Sequence, residues 1–370
     1  DAKNLGNDII MEVCHITVGA VGTKKQNGVL AVIEELVQEH AKQTRVRVIS
    51  IVKSKRVSLK PGFSYIKFGP KLFFVLYRLV KSKTFFFHIH GALNVHLNII
   101  CVFLWIFNAS YCISPHGAFS KRNYPTSLLK KAFIRTVVVW TLKHAKFVHI
   151  FGDRDTYLIN KYLKEITLFV APNGIRPNPK QHIRNKNRSD CVKIRLGFCG
   201  RVNYKEKGLD LLPEVFQNLM NNGKMFSFDL IGTGPDQINF SNEIKKRGLN
   251  KYVTYHGALF GADKLSLLSD IDIFLHPSRN EGMPLAPLEA LALGSRTLIS
   301  IETNLERYLN GNDGIFIIST RDPKDWSDTI IEASNTNLNI EMVNKIFKTT
   351  LAWPKIAEDF LRQYEKYGPN

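Results

Sequence analysis

The chain has 370 residues, 44% of them hydrophobic, which is enough to bury two ordinary cores, and its formal net charge is +19. Five cysteines, Cys14, Cys101, Cys112, Cys191 and Cys199, are odd in number and form no C-x-x-C pair; this argues against a disulfide frame or a zinc site and for reduced thiols in a cytosolic protein. No N-terminal signal pattern and no apolar run of about 20 residues is present, so neither is counted in the fold reading.

Charge is unevenly placed. Residues 1–190 hold 30 Lys and Arg against 10 Asp and Glu, residues 191–370 hold 21 against 22, and no acidic side chain occurs between His40 and Gly152. A one-sided cationic field attracts a polyanion, either nucleic acid or an anionic membrane leaflet, where each surface Lys or Arg adds about 1 kcal/mol. A charge excess that merely keeps the protein soluble is the plainer alternative.

In chain order, residues 1–7 are polar and read as a disordered start. Residues 9–18 are β-branched and apolar enough for a first buried strand; Gly19, Gly22 and Gly28 follow, then an amphipathic helix over 29–39. The glycine spacing is not G-x-G-x-x-G and no acidic residue stands at the ribose position, so no dinucleotide cofactor is expected. Residues 45–51 alternate as a second strand. Residues 67–83 (KFGPKLFFVLYRLVKSK) carry apolar side chains at helical spacing with lysines at both ends, which fits an interfacial helix on a membrane or a core helix with solvated ends. Phe85–His90 is a fourth-strand candidate, residues 99–107 read as a buried helix, and Tyr111–Ser114 is a later strand. His116 then sits just after a strand, where α/β sheets place ligands; His88 and His90, inside an apolar strand, read as hydrogen-bonded core residues. Lys130, Lys131 and Arg135 add to a basic face. Asp153/Asp155 and Asp270/Asp272 match D-x-D, but helix capping and a strand edge explain them, and no metal site is expected. Residues 171–190 have linker composition. Beyond them strands and helices alternate over 192–199, 209–220, 226–231, a helix ending at Arg247, and 253–256, which implies a parallel sheet. A last helix, Trp353–Tyr367, carries the stripe Ile356, Ala357, Phe360, Leu361, Tyr364.

Residues 279–294 (RNEGMPLAPLEALALG) organise this second half. An apolar strand over 271–276 leads into a loop with Glu281, and Pro284 or Pro287 marks a helix start, with Glu289 in the first turns. Free N–H groups at such a start hold an anion such as a phosphate, and two carboxylates can take sugar hydroxyls, so a nucleotide sugar fits. A dipole-capping Glu289 and a solvated Glu281 fit the spacing equally.

The segment EGMPLAPLEALALG resembles the E-x7-E segment of retaining glycosyltransferases of family 4, and the resemblance extends over nearly the whole chain, with Arg296 standing where that family commonly has proline. It implies an α/β fold of GT-B type, two Rossmann-like βαβ domains facing an interdomain cleft. Residues 1–172 would form an acceptor-binding domain, 173–190 a linker, 191–352 a nucleotide-sugar-binding domain, and 353–370 a helix crossing back to the first domain. Ser114-Pro-His-Gly is similar to the family's active-site histidine loop, so His116 takes that role, and the glycine loop with Gly19 and Gly22 takes the acceptor side with Lys130 and Lys131. G-R-x5-K-G resembles the family's diphosphate pair, so Gly200, Arg201 and Lys207 go to the leaving group. Gly232 and Gly234 match a loop near the nucleobase; Glu281, Gly282, Met283, Pro284 and Leu285 go to the sugar and phosphates, and Glu289 to the ribose. PNGI matches the family's domain junction.

The implied reaction is metal-independent transfer of a glycosyl group, of hexosyl type, from a nucleoside-diphosphate sugar to a glycan or lipid-linked acceptor, with no cofactor. Its setting would be bacterial cell-surface polysaccharide (lipopolysaccharide among them) or lipid-linked glycan synthesis, on the cytoplasmic face of the plasma membrane. The alternatives are a nucleic-acid- or membrane-binding protein using the cationic half, disfavoured for nucleic acid because few aromatics interleave with exposed basic loops, or a nucleotide-sugar epimerase on the same fold.

Overall fold

The structure, a computed structural model, describes residues 11–21, 28–52, 62–176, 193–309, 314–336 and 338–369. The calls on Gly22, on Cys191 and on most of the linker lie outside them. Two compact units divide the chain, Asp1–Ala171 with Trp353–Asn370, and Pro172–Ala352.

The first unit is built on strands β1 (Glu12–Val18), β2 (Val46–Ile51), β3 (Phe63–Ile66), β4 (Phe85–His90), β5 (Tyr111–Ser114), β6 (Val148–Ile150) and β7 (Leu168–Val170). They form one parallel sheet in the order β3-β2-β1-β4-β5-β6-β7. Parallel neighbours need crossover connections, which place helices on both faces and bury the strands completely. All six residues of β4 are accordingly buried. On one face Cys14, Ile16, Phe87 and Ile89 pack with Leu72, Leu76 and Leu79 of the helix Pro70–Lys81 and with Leu97, Ile100 and Leu104 of the helix Val95–Ile106. On the other, Phe86 and His88 meet Tyr364 and Phe360 of the helix Trp353–Tyr367, whose stripe is buried at every position.

Two local expectations are corrected. Residues 99–107 do not form a buried helix: Val95–Ile106 turns Ile99, Trp105 and Ile106 outward, Ile106 being 61% exposed, with Phe107 exposed beyond its end. Because nearly every position is apolar, the sequence has no period to show which side meets the sheet, and only that side is covered. At Gly152 no side chain caps the short helix Asp153–Thr156; Asp155 instead accepts a hydrogen bond from the Phe151 N–H at 3.0 Å.

The second unit holds β8 (Lys193–Cys199), β9 (Met225–Ile231), β10 (Val253–Gly257), β11 (Ile273–His276), β12 (Arg296–Ser300) and β13 (Ile315–Ile318), again all parallel, in the order β10-β9-β8-β11-β12-β13. Its core gathers Phe198, Phe216, Phe226, Phe228, Phe240 and Trp326. The order reverses between β8 and β11, and crevices for ligands in such sheets open at the carboxyl ends of strands at this switch point. In the first unit the reversal falls between β1 and β4. Asp270 and Asp272 bracket Arg195 at the start of β8: Asp272 accepts from its N–H at 2.9 Å and Asp270 pairs with its guanidinium at 3.2 Å. Those bonds, more than a strand edge, account for the second D-x-D. Arg296 is buried as the first residue of β12 and donates from Nε to the Thr336 carbonyl.

Candidate functional site

At the switch point of the second unit, the loop after β11 carries Glu281. Its Oε1 accepts from the Lys207 ammonium, from Ser278 Oγ at 3.0 Å and from His276 Nε2 at 3.0 Å. All three converge on Oε1, so Oε2 has no hydrogen bond among the described residues. Burial pushes the Glu281 carboxyl up, but the Lys207 charge and the His276 contact outweigh it and bring it down to about 2. The group is therefore an anion that accepts hydrogen bonds at neutral pH.

The loop is held from several sides. Arg321 donates to the carbonyls of Pro277 and Ser278, both at 2.8 Å, Asn304 donates to the Gly282 carbonyl at 2.7 Å, and Asn173 of the PNGI segment donates to the Met283 carbonyl at 2.7 Å. Arg279 grips Asp210 through two bonds of 2.7 and 2.6 Å. Pro284 is the N-cap of the helix Leu285–Ala292, and Pro287 lies inside its first turn. Since neither proline has an N–H, the helix start offers the N–H groups of Leu285 and Ala286, fewer than the free start the sequence suggests. Glu289 follows in the second turn, where Lys264 Nζ bonds both its oxygens at 2.7 and 2.8 Å.

The connection after β8 supplies the cations: Arg201 lies in its irregular start, and Lys207, expected in a loop, is the last residue of the short helix Tyr204–Lys207. Lys207, only 17% exposed, closes on Glu281, whereas Arg201 is exposed and has no ion pair among the described residues. Gly208 has a φ of +66°, and a Cβ there would come within 2.1 Å of the Pro277 carbonyl oxygen. Gly232, in the loop after β9, would put a Cβ 1.9 Å from the Gly200 carbonyl oxygen. Gly232 thus lets the loops after β8 and β9 touch, a packing reason that stands apart from any nucleobase.

In the first unit, His116 follows β5 in the left-handed region, φ 52°, and its Nε2 lies 3.0 Å from His90 Nδ1. Gly19 follows β1 with φ +112°, where a Cβ would crowd Leu30 at 3.1 Å. Lys130 is exposed in the short helix Leu128–Phe133 and Lys131 half-buried, so neither is drawn into the histidine group.

Comparison with known proteins starts with the second unit: residues 193–336 match the family model described as Glycosyl transferases group 1. Over 197 residues the chain is 28% identical to the O-antigen biosynthesis glycosyltransferase WclY of Escherichia coli, covering 53% of each chain. Among solved structures, sucrose-phosphate synthase of Thermosynechococcus elongatus superposes with a TM-score of 0.76 at 16% identity, over 96% of this chain and 99% of that one. HepE of Anabaena, solved with UDP and glucose, does so with a TM-score of 0.74 at 13% identity, over 96% and 100%. The fold is GT-B. The chain spans about half the length of the WclY sequence it matches.

Within this GT-B fold, His276, Ser278, Lys264 and Arg321 were not singled out from sequence. His276 had a usable signal: it is the last residue of a strand, just before Pro277, at the carboxyl end where the loop that follows carries Glu281. Arg321 and Lys264 had none, because their partners lie 43 and 25 residues away in the chain.

Proposed function

We propose that the protein is a retaining, metal-independent glycosyltransferase of the family 4 kind. It would move a hexosyl group from a nucleoside-diphosphate sugar to an acceptor hydroxyl in cell-surface polysaccharide or lipid-linked glycan synthesis. The observation that carries this reading is the ionised Glu281 beside Lys207 at the switch point of the second unit, with Oε2 left to accept from a sugar hydroxyl. In the reaction the bond from the anomeric carbon to the diphosphate oxygen breaks, one to the acceptor oxygen forms, and the acceptor's O–H bond breaks with its proton passing to the departing diphosphate. Negative charge grows on the diphosphate, and preorganised donors aimed at growing charge are the large term in such steps. Arg201 and Lys207 supply two cations, and the N–H groups of Leu285 and Ala286 add a helix start. Glu289 takes the ribose hydroxyls. The match of residues 193–336 to the glycosyl transferases group 1 supports the donor half of the reading.

The acceptor and the membrane surface rest on the first unit. Tyr77 packs on Phe107 at 5.4 Å and Trp105 on Trp140 at 4.9 Å, and Phe74, Ile106, Leu128 and Leu129 are exposed within the stretch of sequence between His40 and Gly152 that has no Asp or Glu. Exposed apolar side chains rimmed by cations fit an anionic lipid surface. No helix among the described residues is long and apolar enough to cross a membrane.

The test is a thermal-shift screen of UDP, GDP and ADP sugars with EDTA present, on the wild type and on Glu281→Ala. Ligand at about 100 times its Kd stabilises by roughly 2.7 kcal/mol, which is several degrees for a domain of this size. One donor class should shift the wild type and shift Glu281→Ala less. If none does, and nucleic acid or anionic vesicles do, the binding-protein reading replaces this one.

A further inference from the structure

Six buried or part-buried histidines crowd one face of the first sheet, and their hydrogen bonds form two chains that each end on a backbone carbonyl. The first runs from His116 Nε2 to His90 Nδ1 at 3.0 Å, from His90 Nε2 to His15 Nδ1 at 2.9 Å, from His15 Nε2 to His40 Nδ1 at 3.1 Å, and from His40 Nε2 to the Ala357 carbonyl at 3.2 Å. The second runs from Tyr364 OH to His88 Nδ1 at 2.6 Å, from His88 Nε2 to Ser114 Oγ at 2.6 Å, from Ser114 Oγ to His149 Nδ1 at 2.9 Å, and from His149 Nε2 to the Ala171 carbonyl at 2.9 Å.

A carbonyl oxygen only accepts, so the end of each chain fixes the direction of all its bonds. His40 must carry its proton on Nε2 to reach Ala357. A neutral His40 then has a bare Nδ1, which obliges His15 to donate from Nε2, and His15 in turn obliges His90, and His90 obliges His116. Burial supports the neutral state throughout: it holds His15 and His90 well below the usual histidine range and takes His40 and His116 down to about 3. At the far end, His116 Nδ1 has no hydrogen bond among the described residues.

We infer that the Ala357 carbonyl, acting through His40, His15 and His90, locks His116 as the Nε2–H tautomer, so that its Nδ1 is presented as a bare acceptor for a hydroxyl group of the substrate. The ligand chemistry, a sugar or acceptor hydroxyl that donates to Nδ1, rests on the glycosyltransferase reading; the tautomer does not. His90, His15 and His40 are positioning residues, and the helix Trp353–Tyr367 takes part by supplying the terminal carbonyl. A competing use of the cluster is a metal ion, since nitrogens of His15, His88 and His90 lie within 4.8 Å of one another. The hydrogen bonds disfavour it, because both nitrogens of each of these rings already have a partner in one of the two chains.

The experiment is ring-nitrogen NMR on the full chain, 15N-labelled at histidine, at pH 7 with no nucleotide sugar added, His116 being assigned by the signals lost in His116→Gln. The expected wild-type spectrum has His116 in one form, protonated at Nε2 and unprotonated at Nδ1. A proton on Nδ1, or a mixture of the two forms, overturns the inference. In His40→Leu the anchor is gone, His15 Nε2 loses its acceptor, and His116 should shift toward Nδ1–H; an unchanged tautomer there would show that Ala357 does not set it. His15→Phe breaks the same chain one ring earlier, and the wild-type spectrum decides by itself if neither variant folds. Stoichiometric zinc or copper in the purified protein also overturns the inference, as it would take the same lone pairs. Because no donor is present, a failed donor screen leaves this result standing, and a wrong tautomer leaves the donor screen standing.

Discussion

Glu281 shows why a single oxygen matters. Three donors saturate Oε1, which fixes the side chain's rotamer and leaves Oε2 to a ligand. Glu281→Gln keeps the shape, but its amide offers one acceptor and one donor where the carboxylate offers two acceptors, and it removes the countercharge of Lys207. The donor-induced thermal shift should fall to near zero in Glu281→Gln, while the ligand-free far-UV spectrum stays that of the wild type; a retained shift would remove Glu281 from the site. Lys207→Ala leaves the Glu281 carboxylate without the charge that lowers it, with burial raising it unopposed except by His276. Its carboxyl should then titrate well above 2, visible as a carboxyl carbon that changes shift at higher pH than in the wild type.

At the scale of elements, glycines separate two kinds of constraint. A Cβ on Gly232 meets the Gly200 carbonyl oxygen at 1.9 Å and φ is +133°, so Gly232→Ala should cost about 2 kcal/mol or more, read as a lowered urea midpoint. Gly28, the first residue of the helix Gly28–His40, has open space around its Cβ position, and Gly28→Ala should leave the stability unchanged or raise it by about 0.5 kcal/mol, read as an equal or higher midpoint. The sequence separates these two poorly, since both are glycines in loops before helices. Legibility followed local signal. Tyr111–Ser114, Phe85–His90 and Trp353–Tyr367 begin and end where their patterning predicts, because burial on both faces or on one stripe is written into consecutive side chains. The strands Phe63–Ile66, Leu168–Val170 and Ile315–Ile318 were not anticipated, being three or four residues long, too short for a period. The loop positions of Glu281 and His116 were readable from strand-loop-helix order, whereas Lys207, expected in a loop, ends the short helix Tyr204–Lys207. The ring around Glu281 was not readable, since His276, Ser278 and Lys207 meet only once β8 and β11 are neighbours. Likewise the histidine chains join residues 15, 40, 90 and 116, which no local pattern links.

The two units carry opposite electrostatic tasks, and each yields a measurement on the intact protein. In the first, burial lowers His15, His40, His88, His90, His116 and His149, with His40 and His116 at about 3 and His149 at about 4. The unfolded chain binds protons below about pH 6.5 and the folded unit does not, so their contribution is intact above that value. It is lost as pH falls from about 6.5 toward 3–4, by about 1.4 kcal/mol per pH unit for each histidine. Glu281 has the same sign in a lower window, its contribution being lost from about 4.5 down to about 2. Amide exchange at pH 7 and pH 5 should therefore show the strands of the first unit losing more protection than Glu281's neighbours in the second; equal losses would mean that the histidines are protonated in the fold.

The same unit bears the cationic surface, and here charge and apolar area should act together. Phe74 is 61% exposed, and Leu128 and Leu129 are 80% and 84% exposed beside Lys130 and Lys131. Long-range attraction to an anionic leaflet is screened over about 8 Å at physiological salt, whereas apolar insertion is not. Flotation with phosphatidylglycerol vesicles should therefore fall steeply between 50 and about 300 mM salt for the wild type and leave a salt-resistant remainder. Leu128→Ser with Leu129→Ser should abolish that remainder and spare the low-salt binding, whereas Lys130→Ser with Lys131→Ser should weaken the low-salt binding by up to about 2 kcal/mol. Equal binding to neutral phosphatidylcholine vesicles would mean that charge has no part in it. No binding to either would remove the membrane surface from the proposed function, and the exposed leucines would then need another partner.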